Sequence, residues 1–397
     1  MLRTWTLITS CLFSYVLFSQ DFSCSIQANV FLEIHQYDSA LSYLKCAPGY
    51  EENAELLKNS GDCYFFLEKY NQAINTYIVA NEINKDIGSY GLAKCYSRLK
   101  DTNNTIKYLE QHLNSIYKHP KSFIRIDPDF YFLTNTREWV NLWKKDYYTE
   151  SELIIEEIRY LIENKKFFDA LYLADKTIES QPETAVLHFL RAQVHQNLNA
   201  AKNAVKDLSN ALELEKKDEY FFQRAKIYND QGKTKKAIED ISSAIHLNPI
   251  NISYYRFRAE IFSYSGMYKE AIQDINVYLL YHKEDAKALY FAAGIYFKSA
   301  DYLNALKLLN KCITLDPGQK KYYEMRGDTY YETKTYKYCI NDYATAIDMD
   351  GKNSSLLIKK GKAHLELGER EKACNDWKKA KELKDYYAEE FLWEYCQ

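Results

Sequence analysis

The sequence predicts an all-α protein, an α-solenoid of about ten helical hairpins. Three observations predict it. Pairs of small residues twelve apart recur every 34 residues along most of the chain. Gly (12) and Pro (6) together make up under 5% of the 397 residues. That is too few for the turns of an all-β protein or the glycine-rich corners of a βαβ fold. Finally, 47% hydrophobic and 15% aromatic content excludes a disordered chain.

The N-terminus reads as a leader. Arg3 precedes an uncharged run from Thr4 to Ser19, after which Gln20 and Asp21 arrive. A basic start, an apolar stretch and a small residue before polar ones mark a secretory signal over residues 1–19, cleaved after Ser19. Sixteen uncharged residues fall short of the roughly 20 that a spanning helix needs. A lipid anchor would need Leu three residues before a Cys, but Ile8 precedes Cys11 and Asp21 precedes Cys24. The expectation is an exported chain, periplasmic or secreted, with no integral membrane segment after leader removal.

The repeat follows. Ala225/Ala237, Ala259/Ala271, Ala293/Ala305, Gly327/Cys339 and Gly361/Ala373 are in phase, and Ala192/Ala204 extends the series upstream. Ile158/Ala170 is an earlier unit with a large residue in the first slot. Ala28/Ala40, Gly61/Ala73 and Ala93/Thr105 complete ten units. Two antiparallel helices approach closely only where their facing side chains are small. Larger residues nearby, such as Tyr228, Phe262 and Tyr330, lock each pair. Gly232, Gly266 and Gly368 fall in the helix-to-helix turns, and Pro182, Pro249 and Pro317 follow second helices.

This pattern, and the segment YYRFRAEIFSYSGMYKEAIQDINVY from Tyr254 to Tyr278 above all, resembles the tetratricopeptide repeat family. The resemblance implies a right-handed superhelix of helical hairpins with a concave groove that binds peptides or other proteins. The chain then divides into the leader, a three-unit block (20–119), an irregular insert (120–150), a seven-unit array (151–387) and a C-terminal capping helix (388–397). The insert carries Phe123, Phe130, Phe132, Trp139 and Trp143 without repeat phase, and Thr136 is placed to cap a short helix. Two readings stand: its aromatics plug a joint between blocks, or they form an exposed partner patch.

A charge pattern runs through the array. Asp207, Asp240, Asp274, Asp342 and Asp376 stand three residues after the second small residue, and Arg224, Arg258, Arg326 and Lys360 one before the first. The expected pairing joins neighbouring units: Asp207 to Arg224, Asp240 to Arg258, Asp342 to Lys360. Eight cysteines remain after the leader. Cys24 and Cys46 are mirrored about the first turn, and Cys374 and Cys396 hold the same relation at the other end. Both ends are candidates for disulfide staples, the alternative being that all eight are small buried hydrophobes. Cys63 and Cys95 occupy packing slots and read as free thiols.

Chemistry is sparse. There is no phosphate-cradling glycine loop, no HExxH, no EF-hand loop and no nucleophile elbow. His188 and His195, seven apart on one helix, admit a metal reading, but His195 occupies an aromatic packing slot. The reading is a non-catalytic protein without cofactor or metal. In this family first helices line the groove, and helical phase assigns Phe222, Arg256, Tyr290, Phe297, Lys321 and Tyr331 to a partner stripe, with its aromatics facing outward. The family's best-known carboxylate-binding groove is excluded, since Glu260, Phe291 and Met325 replace its polar residues. The expected function is an interaction scaffold or adaptor holding a protein or peptide, in bacterial envelope assembly or secretion. The alternatives are a carbohydrate- or envelope-polymer-binding module and an enzyme built on an α-helical toroid.

Overall fold

In the computed structural model the described residues are 20–350 and 353–397. The leader expected over 1–19 lies outside them. Every regular element among them is helical. They fall into two compact units that divide between Asn251 and Ile252.

The first unit contains six hairpins: α1 (Gln20–Glu33) with α2 (Tyr37–Cys46), α3 (Ala54–Phe66) with α4 (Tyr70–Ile83), α5 (Ser89–Arg98) with α6 (Thr102–Leu113), then, after the insert, α9 (Glu150–Glu163) with α10 (Phe167–Ser180), α11 (Ala185–Asn197) with α12 (Ala201–Leu214), and α13 (Asp218–Asp230) with α14 (Thr234–Leu247). The insert forms α7 (Lys121–Ile126), a 3₁₀ turn (Pro128–Leu133) and α8 (Arg137–Leu142). The second unit contains four: α15 (Ile252–Tyr264) with α16 (Tyr268–Tyr281), α17 (Ala286–Lys298) with α18 (Tyr302–Leu315), α19 (Lys320–Glu332) with α20 (Tyr336–Asp350), and α21 (Ser354–Glu366) with α22 (Arg370–Glu382), closed by α23 (Tyr387–Tyr395). The expected α-solenoid of ten paired hairpins is thus the observed architecture.

Each first helix ends on a residue with left-handed backbone. Gly232, Gly266 and Gly368 supply it at φ 68°, 76° and 74°. Lys100, Asn199, Ala300 and Lys334 adopt the same geometry, where a side chain costs more. Second helices stop at Ser180, Leu247 and Leu315, just before Pro182, Pro249 and Pro317.

The hairpins obey a size rule. The residue sixteen after each first-helix small residue packs into it. Leu208, Ile241, Ile275 and Leu309 hold that position relative to Ala192, Ala225, Ala259 and Ala293, and all eight are buried. Where the large partner is a ring, the small one is Gly. A Cβ on Gly61 would lie 2.5 Å from the Tyr77 ring, on Gly327 2.7 Å from Tyr343, and on Gly361 2.3 Å from Trp377. Ile158 reverses the pair by facing Ala174, both fully buried, so its departure from the small-residue pattern is a size exchange. Thr105 stays fully buried because its hydroxyl donates to the Asp101 carbonyl at 2.7 Å.

The insert lies within the first unit, between its third and fourth hairpins. The Thr136 hydroxyl accepts from the Trp139 backbone N–H at 3.2 Å and caps α8. Ile124, Phe130, Leu133, Trp139 and Leu142 are buried with Leu109 and Leu113 of α6. Without these side chains the apolar face of α6 would meet water. The exposed-patch reading is therefore corrected for Trp139, which is 6% exposed, while Trp143 is half-buried against it.

The charge pattern is also corrected. The pairs close within hairpins: Arg191 with Asp207, Arg224 with Asp240, Arg258 with Asp274, Arg326 with Asp342, and Lys360 with Asp376. The four arginines bind bidentately, as between Arg224 Nε and Asp240 Oδ2 at 2.7 Å and Arg224 Nη2 and Asp240 Oδ1 at 2.8 Å. The two members of each pair are equidistant from the left-handed turn residue, such as Gly232 or Gly266, so antiparallel packing sets them opposite each other.

Candidate functional site

The predicted stripe divides between the units. In the first, Phe222 is half-buried, with the Lys226 ammonium 5.4 Å from its ring centre. In the second, the Arg256 guanidinium stands 3.5 Å from Glu260, 3.8 Å from Asp285 and 5.4 Å from the Tyr278 ring centre. Tyr290 packs 5.3 Å from Tyr322, with Lys321 Nζ 5.2 Å from the Tyr290 ring centre. Phe297 meets Tyr302 edge-on, and Tyr331 meets Tyr336. Tyr290 and Lys321 are thus brought together, whereas the four aromatics expected to face outward are half-buried and share their rings with neighbours.

The sequence reading missed a pair of concave spaces in the first unit. One, of about 1000 Å³, is lined by residues of α3, α4, α5 and the end of α6, among them Phe65, Phe66, Tyr77, Tyr90, Lys58 and Lys94. A second, of about 560 Å³, shares Phe65, Phe66 and Lys94 with it and reaches Arg98, Asp127 and Asp129. The larger falls in the size range of ligand pockets.

Its polar groups are ordered by local packing. Tyr77 wedges between Gly61 and Gly91 and donates its hydroxyl to Asp62 at 2.6 Å. Lys58, one turn before Asp62 on α3, holds the other carboxylate oxygen at 2.8 Å. Tyr90 donates to Asp127 at 2.6 Å, and Lys94 reaches Asp129 at 3.0 Å. Burial, and then the adjacent carboxylates, raise the Tyr77 and Tyr90 hydroxyls well above the ordinary phenol range. Both are therefore fixed as donors to Asp62 and Asp127.

His112 and His119 close the rim. The His119 backbone N–H donates to His112 Nε2 at 3.0 Å, and His119 Nδ1 lies 2.8 Å from that same nitrogen. Burial, reinforced by His119, pushes His112 down to about 3. Burial, with Lys58 and Lys94 next, lowers His119 as well.

The second unit repeats part of this device. Tyr343 donates to Asp328 at 2.6 Å, as Tyr77 does to Asp62, and Lys359 Nζ lies 2.9 Å from both Asp328 oxygens. The sequence signal for both is a Gly-Asp pair on a first helix with Tyr sixteen residues after the Gly.

Other candidate chemistry resolves differently. His188 and His195 both point at Asp207, each 3.7 Å away, on either side of the Arg191 guanidinium. A cation already sits where a metal would. Among the described residues no group of three or more His, Cys, Asp or Glu is arranged to hold a metal ion, and no described helix is long and apolar enough to cross a membrane. Cys24 is bonded to Cys46 and Cys374 to Cys396, with Cα separations of 6.0 and 5.8 Å. Cys63, Cys95, Cys312 and Cys339 are buried free thiols. Burial pushes Cys63, Cys95 and Cys339 up to about 12, which keeps them as protonated thiols near neutral pH.

The tetratricopeptide repeat family model matches residues 218–251 and 286–319. A search of curated proteins finds no match. Among solved structures, the C-terminal part of a TPR repeat-containing protein from Cytophaga hutchinsonii aligns with a TM-score of 0.53 at 19% identity, over 60% of this chain and 99% of that one. A tetratricopeptide repeat protein from Parabacteroides merdae aligns with a TM-score of 0.43 at 20% identity, over 62% of this chain and 98% of that one. The chain is thus an α-solenoid whose segments 218–251 and 286–319 match the tetratricopeptide repeat model.

Proposed function

We propose that the protein is an exported, non-catalytic interaction scaffold that holds a peptide segment of a partner, in bacterial envelope assembly or secretion. The observation that carries the binding half is the pair of adjoining cavities in the first unit, of about 1000 and 560 Å³. Their walls combine aromatic rings with a few ordered polar groups, the composition that binding sites favour. Export is supported by the leader-like residues 1–19 and by two bonded cysteine pairs, since disulfides persist in oxidising compartments. The stripe of Arg256, Tyr290, Phe297, Lys321 and Tyr331 is proposed as a further contact surface, as is Phe222.

The test is a crosslinked pull-down from the cell envelope of the native host, followed by affinity measurement on whatever partner is recovered. Phe66→Ala, in the cavity wall, is expected to lose about 2 kcal/mol of binding. Arg256→Ala with Tyr290→Ala and Tyr331→Ala tests the stripe in the same way. Lys235→Ala with Lys269→Ala and Lys337→Ala, exposed positions on second helices, is the control and should leave binding unchanged. Loss in the control with none in the other two sets would place the partner on the outer surface and overturn the proposal.

A further inference from the structure

The cavities of the first unit have a charge balance that selects their occupant. Every cationic side chain in their walls is already committed to a carboxylate of the same unit. Lys58 is held by Asp62 at 2.8 Å, Lys94 by Asp129 at 3.0 Å, and Arg98 by Asp129 at 2.5 Å. Asp127 takes the Tyr90 hydroxyl and lies 3.7 Å from Lys94. These groups cancel. Three lining carboxylates have no cationic partner among the described residues: Glu52 and Glu55 on the larger cavity and Glu68 on the smaller.

The wall between the cavities is suited to cations. Lys94 Nζ stands 4.8 Å from the Phe65 ring centre and 5.9 Å from those of Phe66 and Tyr90, so these ring faces already gather an ammonium. Phe66 is 53% exposed and lines both spaces.

The histidines add an acceptor. His112 Nε2 accepts the His119 backbone N–H, so it carries no proton. His119 Nδ1, 2.8 Å from the same nitrogen, must therefore carry one. In the neutral ring His119 Nε2 is then left as a bare acceptor, on a residue that lines the larger cavity. Carboxylates, aromatic faces and a bare imidazole nitrogen leave the site with more negative charge than positive.

We infer that the cavities around Phe65, Phe66 and Lys94 bind a basic peptide segment, with Lys or Arg side chains directed to Glu52, Glu55 and Glu68 and against the exposed Phe66 ring. The inference rests on the peptide-scaffold reading above and gives its partner a charge sign.

The test uses the purified full chain and fluorescent peptides of equal length that differ only in carrying Arg, Gln or Glu at alternate positions. Anisotropy should show the Arg peptide binding most tightly, with affinity falling as salt rises. Neutralising Glu52→Gln, Glu55→Gln and Glu68→Gln together should weaken it about tenfold and abolish its advantage over the Gln peptide. Glu179→Gln with Glu239→Gln and Glu371→Gln, exposed elsewhere, should leave it unchanged. Phe66→Ala should weaken it also, and circular dichroism checks that each variant keeps its helicity. If the Gln or Glu peptide binds as well as the Arg peptide and Phe66→Ala weakens it, the cavity binds peptide and the charge inference is overturned. An Arg peptide indifferent to the triple substitution overturns it too. If no peptide binds, both the inference and the peptide-scaffold reading fall.

Discussion

The first three hairpins and those from Ala185 onward solve one packing problem with different polar parts. In five of the later hairpins a buried cation–carboxylate clasp joins the two helices, as between Arg258 and Asp274. The α17–α18 hairpin has Ala292 and Leu308 in those slots. In the first three hairpins the slots hold Gln27 and Tyr43, Ser60 and Thr76, Leu92 and Tyr108. Those hairpins rely instead on a disulfide, on aromatic stacks such as Tyr96 on Tyr108 at 5.4 Å, and on the insert core. The difference teaches where charge is spent. The later repeats place a charged pair inside each clasped hairpin, where it ties the two helices together. The early ones keep Lys58, Asp62 and Lys94 in cavity walls, where they shape a site.

The largest effect that tests this contrast is Asp240→Ala. It leaves the Arg224 guanidinium half-buried without its carboxylate and should cost about 3–5 kcal/mol in chemical denaturation. Thr76→Ala, the same slot in the early block, should stay within about 0.5 kcal/mol. Replacing Arg224 and Asp240 together by Met and Leu should recover most of the loss, because a buried ion pair and an apolar pair are close in net stability. Equal losses for Asp240→Ala and Thr76→Ala would erase the distinction between the blocks.

Reduction comes next. Each bridge spans a sequence separation of 22, and opening either should cost about 3 kcal/mol. Non-reducing peptide mapping should find Cys24 joined to Cys46 and Cys374 to Cys396. Eight free thiols in the exported protein would remove both the staples and a support for export.

The size rule predicts a smaller loss common to both regions. Gly327→Ala drives a methyl against the Tyr343 ring and should cost about 1–3 kcal/mol. Adding Tyr343→Leu, which recreates the Ala293 and Leu309 pairing, should restore much of it. Failure of the rescue would show that Gly327 answers to something other than ring size.

The finest test is acid. His112 is 1% exposed and packed against Tyr90 and His119, with its folded pKa pushed down to about 3 from an ordinary 6.5. The unfolded chain therefore takes up the proton first. Between about pH 6.5 and 3 stability should fall as pH falls, by up to about 1.4 kcal/mol per unit from this group. Acid denaturation of His112→Gln, which keeps an acceptor for the His119 backbone, should show a shallower slope in that window. An unchanged slope would mean that His112 is protonated in the folded protein.

The sequence by itself determined the hairpins, because close helix packing requires small residues at fixed spacing and that spacing is visible in one dimension. It also placed Cys24 opposite Cys46, by counting equal distances from a turn. The same count applied to Arg224 and Asp240 centres on Gly232 and yields the pairing observed. Asp207, however, lies sixteen residues after Arg191 and seventeen before Arg224, so linear distance alone does not separate a bond within a hairpin from one between hairpins. Knowing which residue makes the left-handed turn separates them, because antiparallel packing sets opposite each other the residues equidistant from it. The cavities were hidden for a related reason. Their walls draw on α3, α4, α5 and the end of α6, and their charge balance depends on Asp127 and Asp129 from an insert that has no repeat phase. No periodicity reports which carboxylates are paired and which remain free, because that is settled where separate segments of the chain meet.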